Sequence, residues 1–187
     1  MVIRTLGHGT LAVTEFLEVA RGAELESIVD IRRFPGSRRN PQFGSDEMAR
    51  WLPEHGVAYE WLSLLGGRRK PDSDSPNHGL RNDQFRAYAD YMMSSAFARG
   101  VETLCGLART SMVAVMCAES VWWRCHRRLL ADHLVLIKET RVEHVFHDGR
   151  IVAHVPTPEA RRVDDHLVYA ASPIQSDASM PARRNRK

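Results

Sequence analysis

The sequence predicts one α/β domain with a mostly parallel sheet, flanking helices and a C-terminal antiparallel hairpin. Three observations carry this expectation. Val2-Ile-Arg-Thr-Leu6 and Ser27-Ile-Val-Asp-Ile-Arg32 are short apolar runs separated by a stretch with helical spacing, the start of a βαβ unit. Met112-Val-Ala-Val-Met-Cys117 is apolar without alternation, as a central parallel strand covered on both faces must be. Asp148-Gly149 separates two strand-like runs, Arg141 to Phe146 and Ile151 to Val155, and is a strong signal for a tight hairpin.

The elements follow in order. After the first strand, Gly7-His8-Gly9 forms a turn, and Thr14 is placed to cap a helix carrying Phe16, Leu17 and Ala20. The second strand is broken by Pro35 and Gly36; an arginine-rich irregular segment to Phe43 and a short helix, Asp46 to Leu52, come next. A brief strand, Val57 to Trp61, precedes a polar loop that opens at Leu65-Gly-Gly67 and runs to Asn82. Asp83 to about Arg109 has the spacing of two helices, interrupted near Gly100, and Val121 to Val135 reads as a helix that follows the Met112 to Cys117 strand.

At 187 residues and 43% hydrophobic content the chain can bury one continuous core. No apolar run is long enough to span a bilayer and the N-terminus lacks signal-peptide features, so a cytoplasmic protein without a membrane partner is expected. Cys105, Cys117 and Cys125 form no Cys-x-x-Cys pair and are expected as reduced thiols. Net charge is +3, yet 172–187 holds four of the 26 basic and one of the 23 acidic residues, leaving 22 of each before it. The expected organisation is a domain over 1–171 and a disordered basic tail over 172–187.

Ligands of open parallel sheets bind at the carboxyl ends of strands. Three such ends carry polar residues here: Gly7-His8-Gly9, Asp30-Ile-Arg32-Arg33 and Cys117-Ala-Glu119. Cys117, between a buried strand and a helix start, would feel the positive end of the helix dipole, with Glu119 beside it as acid or base. The competing reading makes Cys117 an inert core thiol. His126 falls on the inward stripe of the same helix and is either catalytic or a satisfied core histidine. Cys125 reads more simply as a small core hydrophobe.

No metal is expected. The cysteine and histidine spacing matches no structural zinc pattern, and Cys125 and His126 as helical neighbours would diverge by ~100°. On the hairpin, His154 should pair with Glu143 and His147 with Arg150. Arg32, Arg33, Arg38 and Arg39, with Arg68, Arg69 and Lys70, suit phosphate oxygens or form only a solvated loop. Gly7-x-Gly9-x-x-Ala12 with Asp30 formally matches a dinucleotide fingerprint, but the helix signal at Thr14 begins too late to face a pyrophosphate.

Taken together, Thr5-Leu-Gly-His-Gly9, Asp30-Ile-Arg-Arg-Phe-Pro35, Ser37 to Phe43, Leu65-Gly-Gly67, Cys117-Ala-Glu119 and Cys125-His-Arg127 resemble the bacterial and archaeal family of unknown function numbered 488. The likeness runs from about residue 2 to residue 155, and the Cys-Ala-Glu and Cys-His-Arg groups are its most specific part. Gly9 stands where the opening motif often has serine. The resemblance implies a Rossmann-like sheet and a shared site made by His8, Asp30, Arg32, Cys117, Glu119, Cys125, His126 and Arg127. It implies no established reaction, and it leaves the cofactor unknown.

The preferred expectation is a small enzyme for a phosphorylated or nucleotide-like ligand. Cys117 would be its nucleophile or redox thiol, Glu119 or His126 its proton carrier, and Arg32 and Arg127 its anion holders. The rival is a non-catalytic nucleotide- or nucleic-acid-binding protein, linked to DNA maintenance, that uses the tail and the arginine-rich loop.

Overall fold

A computed structural model describes residues 1–36, 38–70 and 72–170. The tail expected over 172–187 lies outside these residues. Six strands form the main sheet: β1 (Val2–Gly7), β2 (Ser27–Asp30), β3 (Ala58–Trp61), β4 (Val113–Cys117), β5 (Arg141–Val145) and β6 (Ile151–Ala153), in the order β3-β2-β4-β1-β5-β6. The first five are parallel and β6 runs antiparallel to β5, giving the expected mostly parallel sheet and edge hairpin.

Five helices flank the sheet: α1 (Val13–Gly22), α2 (Ser45–Glu54), α3 (Asp83–Met92), α4 (Ser95–Leu107) and α5 (Arg127–Leu136). Strand alternation divides the core in two. Leu6, Ile28, Ala114 and Met116 pack against Phe16 of α1 and Trp51 and Leu52 of α2. On the other face Ile3, Val29, Val113 and Val115 pack against Tyr88 of α3, Val101 of α4 and Leu129 of α5. Each such buried side chain contributes about 1.5–3 kcal/mol of transfer free energy. Because the chain leaves β1 over one face and β4 over the other, a crevice opens at the carboxyl ends of these two adjacent strands.

Four local expectations need correction. Helix α1 starts one residue before Thr14, and the Glu15 carboxylate accepts from Ala12 N at 2.7 Å in place of a threonine cap. The break between α3 and α4 falls at Ser94, whose side chain accepts from Phe97 N, and not at Gly100. Gly100 is buried within α4, where a Cβ would come 2.9 Å from Leu65. After β4 the chain is not helical: Trp122–Arg124 is one 3-10 turn, Cys125 is extended (φ −121°, ψ 152°) and α5 begins at Arg127.

The hairpin register is also slipped by one residue. Phe146 N donates to Arg150 O, Gly149 has φ +82°, and Glu143 faces Ala153. A three-residue loop with glycine in the left-handed position thus replaces a two-residue turn, and His154 lies against Val142. A second antiparallel pair, β7 (Ala160–Val163) with β8 (His166–Tyr169), was not anticipated. Ala160-Arg-Arg-Val163 is short and polar, and the pair is held by burial of Leu167 and Tyr169, with β8 against α3 and Tyr169 Oη donating to Asp132 of α5.

Candidate functional site

The β1 and β4 ends are tied together before any side chain is considered. His8 N donates to Cys117 O at 3.0 Å and Gly9 N to Ala118 O at 3.0 Å. Such proximity leaves no room for a side chain at Gly7, where a Cβ would lie 1.9 Å from Glu119 O. It also consumes the amides of His8 and Gly9, so this turn is no oxyanion nest. Anion recognition there must come from side chains.

Asp30, at the end of β2, is fully buried and is held by its own strand end. Arg32 donates to it from the backbone N (2.9 Å), Nε (2.9 and 3.0 Å) and Nη2 (2.5 Å), and Tyr59 Oη donates at 2.8 Å. The Arg32 fork also donates from Nη2 to Phe43 O and from Nη1 to His8 Nε2 at 3.2 Å. Burial opposes the guanidinium charge, and the Asp30 pairing outweighs it, raising the pKa. Arg32 is therefore neutralised by Asp30, and both residues shape the site more than they bind in it.

The same contacts fix His8. Its Nδ1 sits 2.9 Å from Gly9 O, which can only accept, so Nδ1 carries the proton and Nε2 accepts from Arg32. Burial and then Arg32 push the ring down to about 4, which keeps it neutral. Stacked on Phe43 at 4.3 Å, it is a wall of the site and not a proton carrier at neutral pH.

Cys117, Cys125 and His126 form the centre. His126 Nδ1 lies 3.5 Å from Cys125 Sγ and 4.0 Å from Cys117 Sγ, and the three atoms all fall within 4.8 Å of one another. His126 Nε2 is 3.3 Å from Ile31 O, which assigns the proton to Nε2 and leaves Nδ1 facing the sulfurs. Helical divergence of Cys125 and His126 does not apply, because Cys125 is extended and His126 is the cap residue that precedes α5.

The thiols are also ordered differently from expectation. No helix start follows Cys117; a hydrogen bond that its thiol donates to the Cys125 sulfur, and burial, raise its pKa. Burial works against a Cys125 thiolate too, but the Cys117 hydrogen bond and Arg127 outweigh it, and its pKa is lowered. Arg127 N, in the first turn of α5, points at Cys125 Sγ at 3.5 Å, so the helix-end argument made for Cys117 belongs to Cys125.

Two cavities that share part of their lining open over this cluster, of about 290 and about 520 Å³. Both are lined by Gly67, Arg68, Cys117 and His126; the first adds His8, Arg32, Arg33 and the exposed Phe34, the second Glu119 and Cys125. Arg127 lines neither. It is 1% exposed, donates through Nη2 to Glu119 O, and has no partner for Nε among the described residues. The exposed Arg33 and Arg68 line the first cavity where Arg127 does not, Arg33 donating from Nη1 to Arg68 O at 2.7 Å; Arg69 donates to Gly66 O and lies over the Tyr91 ring, 3.4 Å away.

Gly66 and Gly67 explain their own presence. A Cβ at Gly66 would lie 2.8 Å from Arg33 Cα, and one at Gly67 would lie 2.9 Å from His126 Nδ1. The pair thus packs the arginine loop onto the cluster and leaves the imidazole accessible.

Sequence reasoning missed a buried polar chain beside the site. Thr5 Oγ1 donates to His144 Nδ1 (2.7 Å), His144 Nε2 to His154 Nδ1 (2.9 Å) and His154 Nε2 to Asp132 Oδ1 (2.8 Å); Tyr169 Oη and Thr157 N complete Asp132. Burial, then His154, drives His144 down to about 3. Only the hairpin register could have shown the pairing, and one residue of slip hides it.

Among the described residues no helix is long and apolar enough to cross a membrane. Neither the curated proteins nor the solved structures contain a match to the chain. The family model described as domain of unknown function DUF488 does match, over residues 12–134, a span that holds β2 to β4 and the whole thiol–imidazole cluster. With most of its length so matched, the chain belongs to the DUF488 family.

Proposed function

We propose that this protein is an enzyme acting on a phosphorylated or nucleotide-like ligand held in the cavity over the Cys117–Cys125–His126 cluster. One observation carries the reading: a sulfur and imidazole group and two exposed arginines open onto the same space at the strand ends. Arg33 and Arg68 hold the anionic group, because Arg32 is neutralised by Asp30 and Arg127 is covered. Phe34, 63% exposed and lining the same cavity, offers a face on which a base can stack. Glu119 lines the second lobe and is the carboxylate available for proton transfer there.

The test is calorimetric titration with a panel of AMP, ADP, ribose 5-phosphate and inorganic phosphate. A charge-assisted hydrogen bond contributes about 1.5–3 kcal/mol, so Arg33→Gln or Arg68→Gln should weaken the best ligand about 10–150-fold. A panel in which nothing saturates, or variants that bind as the wild type does, defeats the proposal. The exposed Phe34 beside Arg33 also favours a single-stranded nucleic acid as the occupant. In that case affinity for an oligonucleotide falls steeply with salt and no member of the panel competes.

A further inference from the structure

We propose that Cys117, Cys125 and His126 form a three-ligand site for a thiophilic divalent cation, zinc in the first place, whose fourth coordination position faces the cavity. The inference deepens the enzyme reading, since the open position is where a water or an anionic ligand group would bind, but the three-ligand site stands on its own geometry.

That geometry is metal-like before any metal is placed. Zn–S near 2.3 Å and Zn–N near 2.0–2.1 Å at tetrahedral angles require S···N separations of about 3.6 Å and S···S of about 3.8 Å. The two sulfurs lie 3.5 and 4.0 Å from His126 Nδ1, with all three atoms inside 4.8 Å. Closing the set takes changes of about 0.1 and 0.4 Å in the two S···N separations and at most about 1 Å between the sulfurs.

The surroundings match as well. A ligating histidine characteristically donates its other N–H to a carbonyl or carboxylate, which orients the ring; His126 Nε2 does so to Ile31 O. Arg127 N donates to Cys125 Sγ, the kind of outer contact a metal thiolate keeps. Absence of a side chain at Gly67 leaves the space beside Nδ1 open, and Cys117 and His126 line both lobes of the cavity.

Charge also fits. Both sulfurs would bind as thiolates, releasing whatever protons they still carry, and two thiolates cancel the dication, so the nearby arginines do not oppose the complex. Those same arginines favour an anion as fourth ligand. Three protein ligands with one position free is the pattern of catalytic zinc, where the metal activates a water or polarises an oxygen.

The test uses the full chain, reduced and treated with chelator, titrated anaerobically with cobalt(II). Expected are one equivalent bound, a thiolate-to-cobalt band in the near ultraviolet, and the intense visible bands of a four-coordinate ion, all bleached by zinc. Azide or inorganic phosphate should shift the visible bands. Cys125→Ser, Cys117→Ser and His126→Gln should each weaken binding more than the about 10–100-fold typical of losing an outer-shell partner, while Cys105→Ser binds normally. Circular dichroism checks that each variant is folded.

Absence of the charge-transfer band, or a band unaffected by folded Cys125→Ser, overturns the inference. Visible bands that ignore azide and phosphate overturn the open fourth position. Failure of the nucleotide panel, by contrast, leaves the cobalt result untouched, so the two proposals fail separately.

Discussion

Replacing His133 by leucine should flatten the pH dependence of folding. His133 lies in the last turn of α5, packs edge-on against Phe97 at 5.0 Å, is 5% exposed, and has a buried Nδ1 without a partner among the described residues. Burial first, then Lys138 and His166, lower its pKa from 6.5 to about 4. The folded state thus keeps the ring neutral while the unfolded chain protonates it, so stability is fully present above the unfolded value and is lost as pH falls from there toward 4. Between pH 7 and pH 5 this one group removes about 2 kcal/mol, taking 1.36 kcal/mol per pKa unit. Urea unfolding of wild type and His133→Leu at both values gives the comparison. The variant's loss on acidification should be smaller by about 2 kcal/mol, and at pH 7 it should be no less stable than wild type, since an unpaired polar atom has gone. Equal losses in the two proteins would show that His133 is protonated or solvated in the fold.

Two glycines of α4 should respond in opposite directions. Gly100→Ala places a methyl 2.9 Å from Leu65 Cδ2 and should cost about 1–2 kcal/mol net of helix propensity, whereas Gly106→Ala, with nothing within 4 Å, should gain about 0.4–1 kcal/mol in thermal or urea unfolding. A stabilising Gly100→Ala would refute the close approach of α4 to the Ser63–Leu65 turn. Asp132→Ala strands His154, Tyr169 Oη and Thr157 N as buried donors and should cost at least about 3 kcal/mol by urea unfolding, with Asp132→Asn between it and wild type. Indifference to both would mean that water replaces the carboxylate.

What was legible in the sequence was what depends on short-range pattern. The parallel strands are continuous apolar runs, and their ends announce themselves because glycine or a charged residue follows at once, as at Gly7, Arg32 and Ala118-Glu119. His8, Asp30, Arg32 and Cys117 lie together at the strand ends for that reason, and His126 reaches them from the start of α5. Their roles were not legible, because a role depends on partners. Arg32 and Asp30 cancel one another only because Phe43 O and Tyr59 Oη hold the fork and the carboxylate in place, and Arg127 is covered only because it caps Glu119 O.

The Cys125 environment shows most clearly why tertiary contacts can override a local signal. Spacing from Trp122 to Leu134 is that of an amphipathic helix, yet the first turn is unwound. Trp122 lies flat on His144, 4.0 Å away at 4°, which pins it to β5, while the Arg127 side chain reaches back to Glu119 O and draws the loop after β4 toward α5. A continuous helix rising ~1.5 Å per residue from the strand end would carry Cys125 ~10 Å away from Cys117. The 3-10 turn and the extended residue at 125 instead fold the chain back, so that two sulfurs eight positions apart in the sequence share one imidazole nitrogen. The unwound turn gives up helical hydrogen bonds to make that meeting, a departure from local preference of the kind concentrated at functional sites. Weighed with the histidine stack beneath it, the unwinding itself argues that the thiol–imidazole cluster, and not the helix, is what this segment is built to form.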